Sequence, residues 1–511
     1  MSAHLPVLPI AWPLAIGAIL LLVERRGIAL QRGVAWIGLA GLLALSVALL
    51  RQADAGEIGV YLLGDWPARM GIALLVDRLS AWMVLVTTLL AVACLLHAGS
   101  GWDRRAPHFH ALFQFQLMGL NGAFLTGDLF NLFVFFEILL AASYGLLLSG
   151  ARGGRIRTGF HYLMFNVAAS TLFLIALGLL YGILGTLNLA EMAARVSRIA
   201  PQDRVLLQAA AGLLLVVFCA KGALLPLYLW LPATYGRAQP AVAALFVLMT
   251  KVGVYAVLRV FSLLFGTHAG ELAGMGVSWL LPAGIATLLM AGLGTLAAVR
   301  LRILAGYLVL ASAGTLFIAF ALPGARTTAA GIYYLAHSAF AGAALFLIVA
   351  LVRRQRSTDR TNVVLPMRDR WLSGSLYFIV AIALIGLPPL SGFVGKFALL
   401  DATAQAQVGW VWGAILLSSF FILVAMGRAG SRLFWLLPEA VAQQDARPAR
   451  PPQRVYRREL AAIVLLLGYG FAMTIAAGPL LRYAQAAGAQ LVEPANYIHA
   501  MRAATPRLRE P

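Results

Sequence analysis

FVLMTKVGVYAVL, residues 246–258, is apolar enough to lie in lipid except for one ammonium group, Lys251, at its centre. The apolar character continues outward on both sides, from 240 to 265. About 20 predominantly apolar residues cross a bilayer as a helix. Similar runs fill the chain at 7–23, 34–50, 79–97, 111–127, 129–149, 160–184, 205–231, 277–299, 303–322, 328–352, 373–400, 408–436 and 460–481. They are too long, and too rarely alternating, for the strands of a membrane barrel. With 61% hydrophobic and 11% charged residues, the chain reads as an all-α polytopic membrane protein of about fourteen transmembrane helices.

The net charge of +20 raises nucleic acid as a partner, and the placement of the charge argues against it. Of the 36 arginines, 24 lie in the odd-numbered connections between spans and 11 in the even-numbered ones and the C-terminal tail. The positive-inside rule then puts the odd connections in the cytoplasm and both termini outside, periplasmic or extracellular. Cys94 and Cys219 fall in different spans, with neither metal-ligand spacing nor a disulfide framework. The start of the chain has no basic region before its apolar run, so a retained first helix is expected. Residues 437–459, rich in Pro, Ala and Arg, read as a flexible cytoplasmic loop.

Only three residues are lysines, Lys221, Lys251 and Lys396, and all three lie inside apolar runs, whereas the arginines lie almost entirely between them, Arg259 near the outer end of the eighth span excepted. Glu137 is the single acid placed at mid-membrane. An ionisable group near the bilayer centre costs about 2.5–3.5 kcal/mol on insertion scales and marks a functional site by default. Snorkelling would explain Lys396, near a span end, but not Lys251. A structural Glu137–Lys221 pair locking two helices is the bland alternative. It leaves two lysines unexplained. Guanidinium is effectively never deprotonated, whereas a desolvated lysine releases its proton readily. Proton translocation by Glu137, Lys221, Lys251 and Lys396 follows as the expectation, with His337 of the eleventh span as a further relay member. Asn166, Ser170, Thr171, Ser312 and Thr315 read as hydrogen-bonding bridges between helices.

Two lysines sit beside prolines. Pro226 removes the donor for the Gly222 carbonyl, and Pro388 and Pro389 free those of Leu384 and Ile385. With Gly392 nearby, spans seven and twelve read as interrupted helices, which survive at membrane depth only when buried in protein or lining a wet cavity. The seventh span enters from outside and the twelfth from inside, so spans 4–8 and 9–13 suit two inverted five-helix repeats. The expected organisation is 1–110 for helices one to three, 111–265 and 266–436 for the repeats, the 437–459 loop, and 460–511 for the last helix and an outer tail.

At these residues the sequence resembles a known family. GAFLTGDLFNLFVFFEILLAASYGLLLSG (122–150), KGALLPLYLWLPATYGRAQPAVAALFVLMTKVGVYAVLRVF (221–261) and PPLSGFVGKF (388–397) resemble the D subunit of the Mrp-type (Pha or Mnh) multisubunit cation/proton antiporters. More distantly the chain is similar to the antiporter-like subunits of respiratory complex I. The resemblance implies a fourteen-helix fold, a polar axis through Glu137, Lys221, Lys251 and Lys396, and exchange of Na⁺ or K⁺ for H⁺. It also implies partner subunits in a hetero-oligomer of a bacterial inner membrane. Relatives often carry a basic residue five positions after the one matching His337; here it is Gly342.

The nearest rival is a proton-pumping subunit of a complex I-type oxidoreductase or a membrane-bound hydrogenase. A scaffold whose buried charges only pair helices is a second. An intramembrane enzyme has little behind it: the sequence has no zinc-binding histidine pair, serine elbow or phosphate-cradling glycine loop. No cofactor and no resident metal are expected. Without a carboxylate cluster to hold a bare cation, the cation path falls to a subunit interface or a partner.

Overall fold

Backbone N–H and C=O groups find no partners in hydrocarbon, so a chain this apolar satisfies them within helices. The computed structural model describes residues 4–150, 153–363, 365–436 and 455–506. Its helices are α1 (Leu8–Leu22), α2 (Ile28–Asp54), α3 (Arg78–Ala98), α4 (Phe109–Leu125), α5 (Leu129–Leu148), α6 (Gly154–Leu184) and α7 (Leu189–Val196). Next come α8 (Arg204–Lys221), α9 (Trp230–Arg237), α10 (Pro240–Leu264), α11 (Val277–Ala297), α12 (Leu301–Ala321) and α13 (Ala325–Arg356). The chain continues with α14 (Arg370–Ile385), α15 (Ser391–Ala402), α16 (Val408–Gly430), α17 (Arg457–Ile475), α18 (Ala477–Val492) and α19 (Ala495–Ala503). Every expected span contains a helix. Among the described residues, eleven helices are long and apolar enough to cross a membrane, and α1 and α14 are shorter apolar helices.

Local chemistry explains many of the ends. Asp77 accepts from the Ser80 backbone while Ser80 returns the bond, a capping box that starts α3. Asp128 caps α5, Asn188 caps α7, and Pro240 opens α10. Burial then sorts the helices. The apolar window of α13 is wholly buried and that of α10 is 94% buried, against 39% for α6 and 33% for α16. The helices carrying His337 and Lys251 therefore form the centre.

Both expected interruptions are present, over 222–229 between α8 and α9 and over 386–390 between α14 and α15. The chain also holds elements that the apolar pattern did not announce. Strands β1 (Gly59–Leu62) and β2 (Ala73–Val76) form an antiparallel hairpin, Gly59 opposite Val76. The last expected span, 460–481, is corrected to α17 followed by a separate helix. α18 packs on α13 so closely that a Cβ at Gly488 would stand 2.5 Å from the Ala325 carbonyl oxygen. Tyr483 of α18 also donates to the Arg78 carbonyl (2.8 Å). The expected loop at 437–459 lies outside the described residues up to 454; from Arg457 the chain is helical.

Sidedness is legible in the contacts. Arg32–Asp103, His108–Glu24, Arg302–Asp359 and Arg354–Glu459 each join two odd-numbered connections. Arg69–Glu191, Arg204–Glu271 and Arg326–Asp401 each join two even-numbered ones, and Arg502–Glu191 ties the tail to that set. One face is arginine-rich and the other arginine-poor, and the two interrupted helices are threaded between them in opposite directions.

Candidate functional site

The first interruption begins at Lys221, the last residue of α8. Pro226 has no N–H to continue the ladder, and the loosened groups are satisfied from elsewhere. Leu224 N–H bonds the Cys219 carbonyl (2.8 Å), Leu225 N–H donates to Thr287 Oγ1 (2.9 Å), and the Trp230 indole donates to the Ala220 carbonyl (3.2 Å). Helix α10 seats directly on this break. A Cβ at Gly253 would lie 2.3 Å from the Gly222 nitrogen, so only glycine lets the two backbones meet.

Lys221 is buried and donates to Asn166 Oδ1 and Ser170 Oγ, each at 3.2 Å, with its Nζ 5.6 Å from the Phe136 ring centre. Ser170 in turn donates to Glu137 Oε1. Glu137 and Lys221 therefore meet through a hydroxyl rather than as a direct ion pair. A cavity of about 20 Å³, lined by Lys221, Asn166, Tyr162 and Trp230 among others, has room for one water beside the ammonium. Glu137 is only partly buried and sits at the surface of the bundle.

Lys251 is fully buried and its Nζ donates to Ser312 Oγ of α12 (2.6 Å), which passes its own hydrogen to the Val309 carbonyl (2.7 Å). On α13, His337 Nδ1 lies 2.9 Å from Ser391 Oγ, the first residue after the second interruption. A second cavity of about 20 Å³ opens beside these two side chains. Here the two half-helices touch backbone to backbone: a Cβ at Gly392 would fall 1.9 Å from the Ala383 oxygen and 2.8 Å from His337 Nε2.

Lys396 does not snorkel. It is 8% exposed and reaches back to donate to the Ile385 carbonyl and to Ser419 Oγ, both at 2.8 Å. That carbonyl is the acceptor Pro389 leaves vacant, and it ends α14, where the helix dipole favours a cation. Gly386, at φ +85°, makes the turn; a Cβ there would meet Lys396 Cδ at 2.7 Å. Among the described residues no group of three or more His, Cys, Asp or Glu side chains could hold a metal ion. The arrangement is a series of buried amines on hydroxyl and carbonyl acceptors, suited to holding or releasing protons.

The family description "NADH:quinone oxidoreductase/Mrp antiporter, TM" matches residues 126–422, which contain both interruptions and all three lysines. The chain belongs to this family. It is 39% identical, over 97% of its length and 96% of the relative's, to a probable K(+)/H(+) antiporter D subunit of Rhizobium meliloti (strain 1021). It is 34% identical to a Na(+)/H(+) antiporter D subunit of Alkalihalophilus pseudofirmus, covering 98% of this chain and 99% of that one. A chain of the Mrp complex from Dietzia sp. DQ12-45-1b superposes with a TM-score of 0.88 at 27% identity, covering 98% and 99% of the two chains.

Within this member of the NADH:quinone oxidoreductase/Mrp antiporter family, some site residues were legible and some were not. Glu137, Lys221, Lys251, His337 and Lys396 stand out as rare ionisable groups in apolar runs. Asn166, Ser170 and Ser312 do bridge helices, and what they bridge to are the lysines. Thr171 does not: it is exposed and bonds its own helix at the Val167 carbonyl (3.1 Å). Ser391 and Ser419 were not foreseen, although Ser391 directly follows the Pro388-Pro389-Leu390 break. The nearest neighbours of a Cβ at Gly342 would be Val247 and Val309, at 3.4–3.8 Å.

Proposed function

We propose that this chain is the D subunit of a multisubunit monovalent cation (Na⁺ or K⁺)/proton antiporter in a bacterial inner membrane, a component of a transporter rather than an enzyme. The observation that carries the reading is that all three lysines are buried at helix interruptions or at the bundle centre, each on neutral acceptors, with Glu137 one hydroxyl away from Lys221. The arginine-rich face is cytoplasmic and both termini are outside. Residues 111–265 and 266–436 are the two inverted repeats, crossing with the rest of the chain fourteen times.

In the proposed cycle Glu137, as carboxylate, favours the ammonium form of Lys221 through Ser170. Neutralising Glu137 removes that support, and Lys221 releases its proton toward Lys251. Lys251 passes it through water and His337 to Lys396. Opposite charges nearby shift pKa values by about 1–3 units, enough for one contact to gate the step. A partly exposed carboxylate at mid-membrane is not left facing lipid, so a partner subunit covers Glu137. Na⁺ or K⁺ crosses at such an interface or in a partner.

The test is cation-induced collapse of a pH gradient in inverted vesicles from an antiporter-deficient host. The complete complex would carry either the wild-type chain or Lys251→Ala at matched assembly. Collapse by Na⁺ or K⁺ with the wild type alone supports the reading and identifies the cation. Equal collapse by both removes Lys251 from the route. No response in either favours the complex I-type reading, whose driver is redox chemistry in other subunits; the family's description spans both.

A further inference from the structure

On the arginine-rich face, the α3–α4 connection, the N-terminal end of α2, the last turn of α13 and the start of α17 enclose a cavity of about 660 Å³. Its walls carry Arg32, Trp102, Arg104, Arg105, Arg354 and Tyr456. Two of these cations are already matched. Arg32 forks onto Asp103 at 2.6 and 2.8 Å. Burial alone would raise the Asp103 carboxyl, but hydrogen bonds from Arg32 and His110 outweigh it and hold it below the usual carboxylate range, so the pair stays ionised. Arg354 pairs with Glu459 at 2.7 Å and lies 4.2 Å over the Tyr456 ring.

Arg104 and Arg105 have no such match. Both are exposed to the cavity side of the connection, and among the described residues neither forms an ion pair; Arg105 rests 5.9 Å over the Trp102 ring. The Trp102 indole N–H is buried without a hydrogen-bond partner. One acceptor, Glu459 Oε2, is also unpaired, and Arg354 neutralises that carboxylate. Arginines that only fix topology need water around them, not a shared cavity. Two unmatched guanidiniums on one cavity wall complement the oxygens of a phosphate group.

We propose that this cavity binds a phosphate oxyanion, carried by the headgroup of an anionic glycerophospholipid or by a soluble phosphate. The oxyanion is held by Arg104 and Arg105. Its place at the ends of four helices, with an indole and a phenol in the wall, is the headgroup level where basic pockets recruit anionic lipid. The volume is in the range of small-ligand pockets, about 300–1,000 Å³. The site is independent of the transport reading.

The test uses the intact complex purified in detergent. Its thermal unfolding midpoint is followed while phosphatidylglycerol, phosphatidylcholine or inorganic phosphate is titrated in. The expected result is a rise with phosphatidylglycerol only, with an apparent affinity weakened at least about tenfold by Arg104→Ala together with Arg105→Ala. Arg105→Gln alone, which keeps most of the side chain and removes the charge, weakens it by about three- to tenfold. A wild-type-only rise with inorganic phosphate supports the oxyanion site and names a soluble ligand. Equal shifts in wild type and both variants, equal shifts with phosphatidylcholine, or no shift overturn the proposal. If the double variant fails to assemble, Arg105→Gln and the lipid comparison decide it.

Discussion

The two interrupted helices solve one problem in opposite ways. At the first, the lysine ends the half-helix before the break, and its ammonium shares Ser170 with a carboxylate. At the second, Lys396 belongs to the half-helix after the break and turns back to cap the Ile385 carbonyl, with Ser419 as its other hydrogen-bond partner. The first break is sealed by another helix, α10, through Gly253; the second is sealed within itself, α15 against α14, through Gly392. The first site thus has an acid whose protonation changes the charge beside the lysine. The second is bound by dipoles alone, whose strength stays fixed unless the break itself moves.

The largest effect is expected where that seal is tightest. Gly392→Ala puts a methyl 1.9 Å from the Ala383 oxygen and 2.8 Å from His337 Nε2, a clash that no rotamer relieves. A loss of more than about 3 kcal/mol is expected, read as a severalfold fall in assembled complex recovered from membranes. Normal assembly would mean that α15 can withdraw from α14 freely, and that the second break is not held by backbone contact.

Next in size is the change that makes the two sites alike. Glu137→Gln keeps an oxygen for Ser170 and removes the charge. Transport is expected to fall at least about a hundredfold, which is about 2.7 kcal/mol in the limiting step, with assembly unchanged. Lost assembly at matched expression would favour the scaffold reading instead. Ser170→Ala should follow at about 1.5–3 kcal/mol, the range for hydrogen bonds to charged groups. It severs both the Lys221 and the Glu137 contacts. The vesicle assay ranks the two, and an unaffected Ser170→Ala would mean the acid and amine communicate by another path.

How much of this was written in the sequence depends on whether a residue is unusual where it stands. A lysine in a chain that otherwise uses arginine, or a proline inside an apolar run, is conspicuous. The vacant Ile385 acceptor follows from the position of Pro389. A serine in a membrane span is ordinary. Ser170, Ser312 and Ser419 read the same as serines that bond their own helix, and only the fold brings them to an ammonium. The hairpin strands are four residues each, too short for alternation to register. Helix α18 hid because its Ala-rich run follows α17 after a single residue, Ala476, and looks like the same span.

Two smaller substitutions separate the breaks further. Thr287→Ala leaves the Leu225 N–H without its 2.9 Å acceptor, with no counterpart at the second break, where Leu387 N–H bonds the Ile382 carbonyl at 3.1 Å. A cost of about 1–2 kcal/mol is expected for that unpaired donor, seen as a lowered unfolding midpoint. Ser419→Ala should cost least. Lys396 keeps the Ile385 carbonyl, which lies on the dipole end that favours a cation, so the ammonium loses one of two acceptors and not its seat. About 0.5–1.5 kcal/mol, a two- to tenfold fall in transport, is expected. If Ser419→Ala instead matches Ser170→Ala, the hydroxyl and not the helix end holds Lys396. The interruption of the twelfth span would then serve to shape the cavity at His337 rather than to cap the lysine.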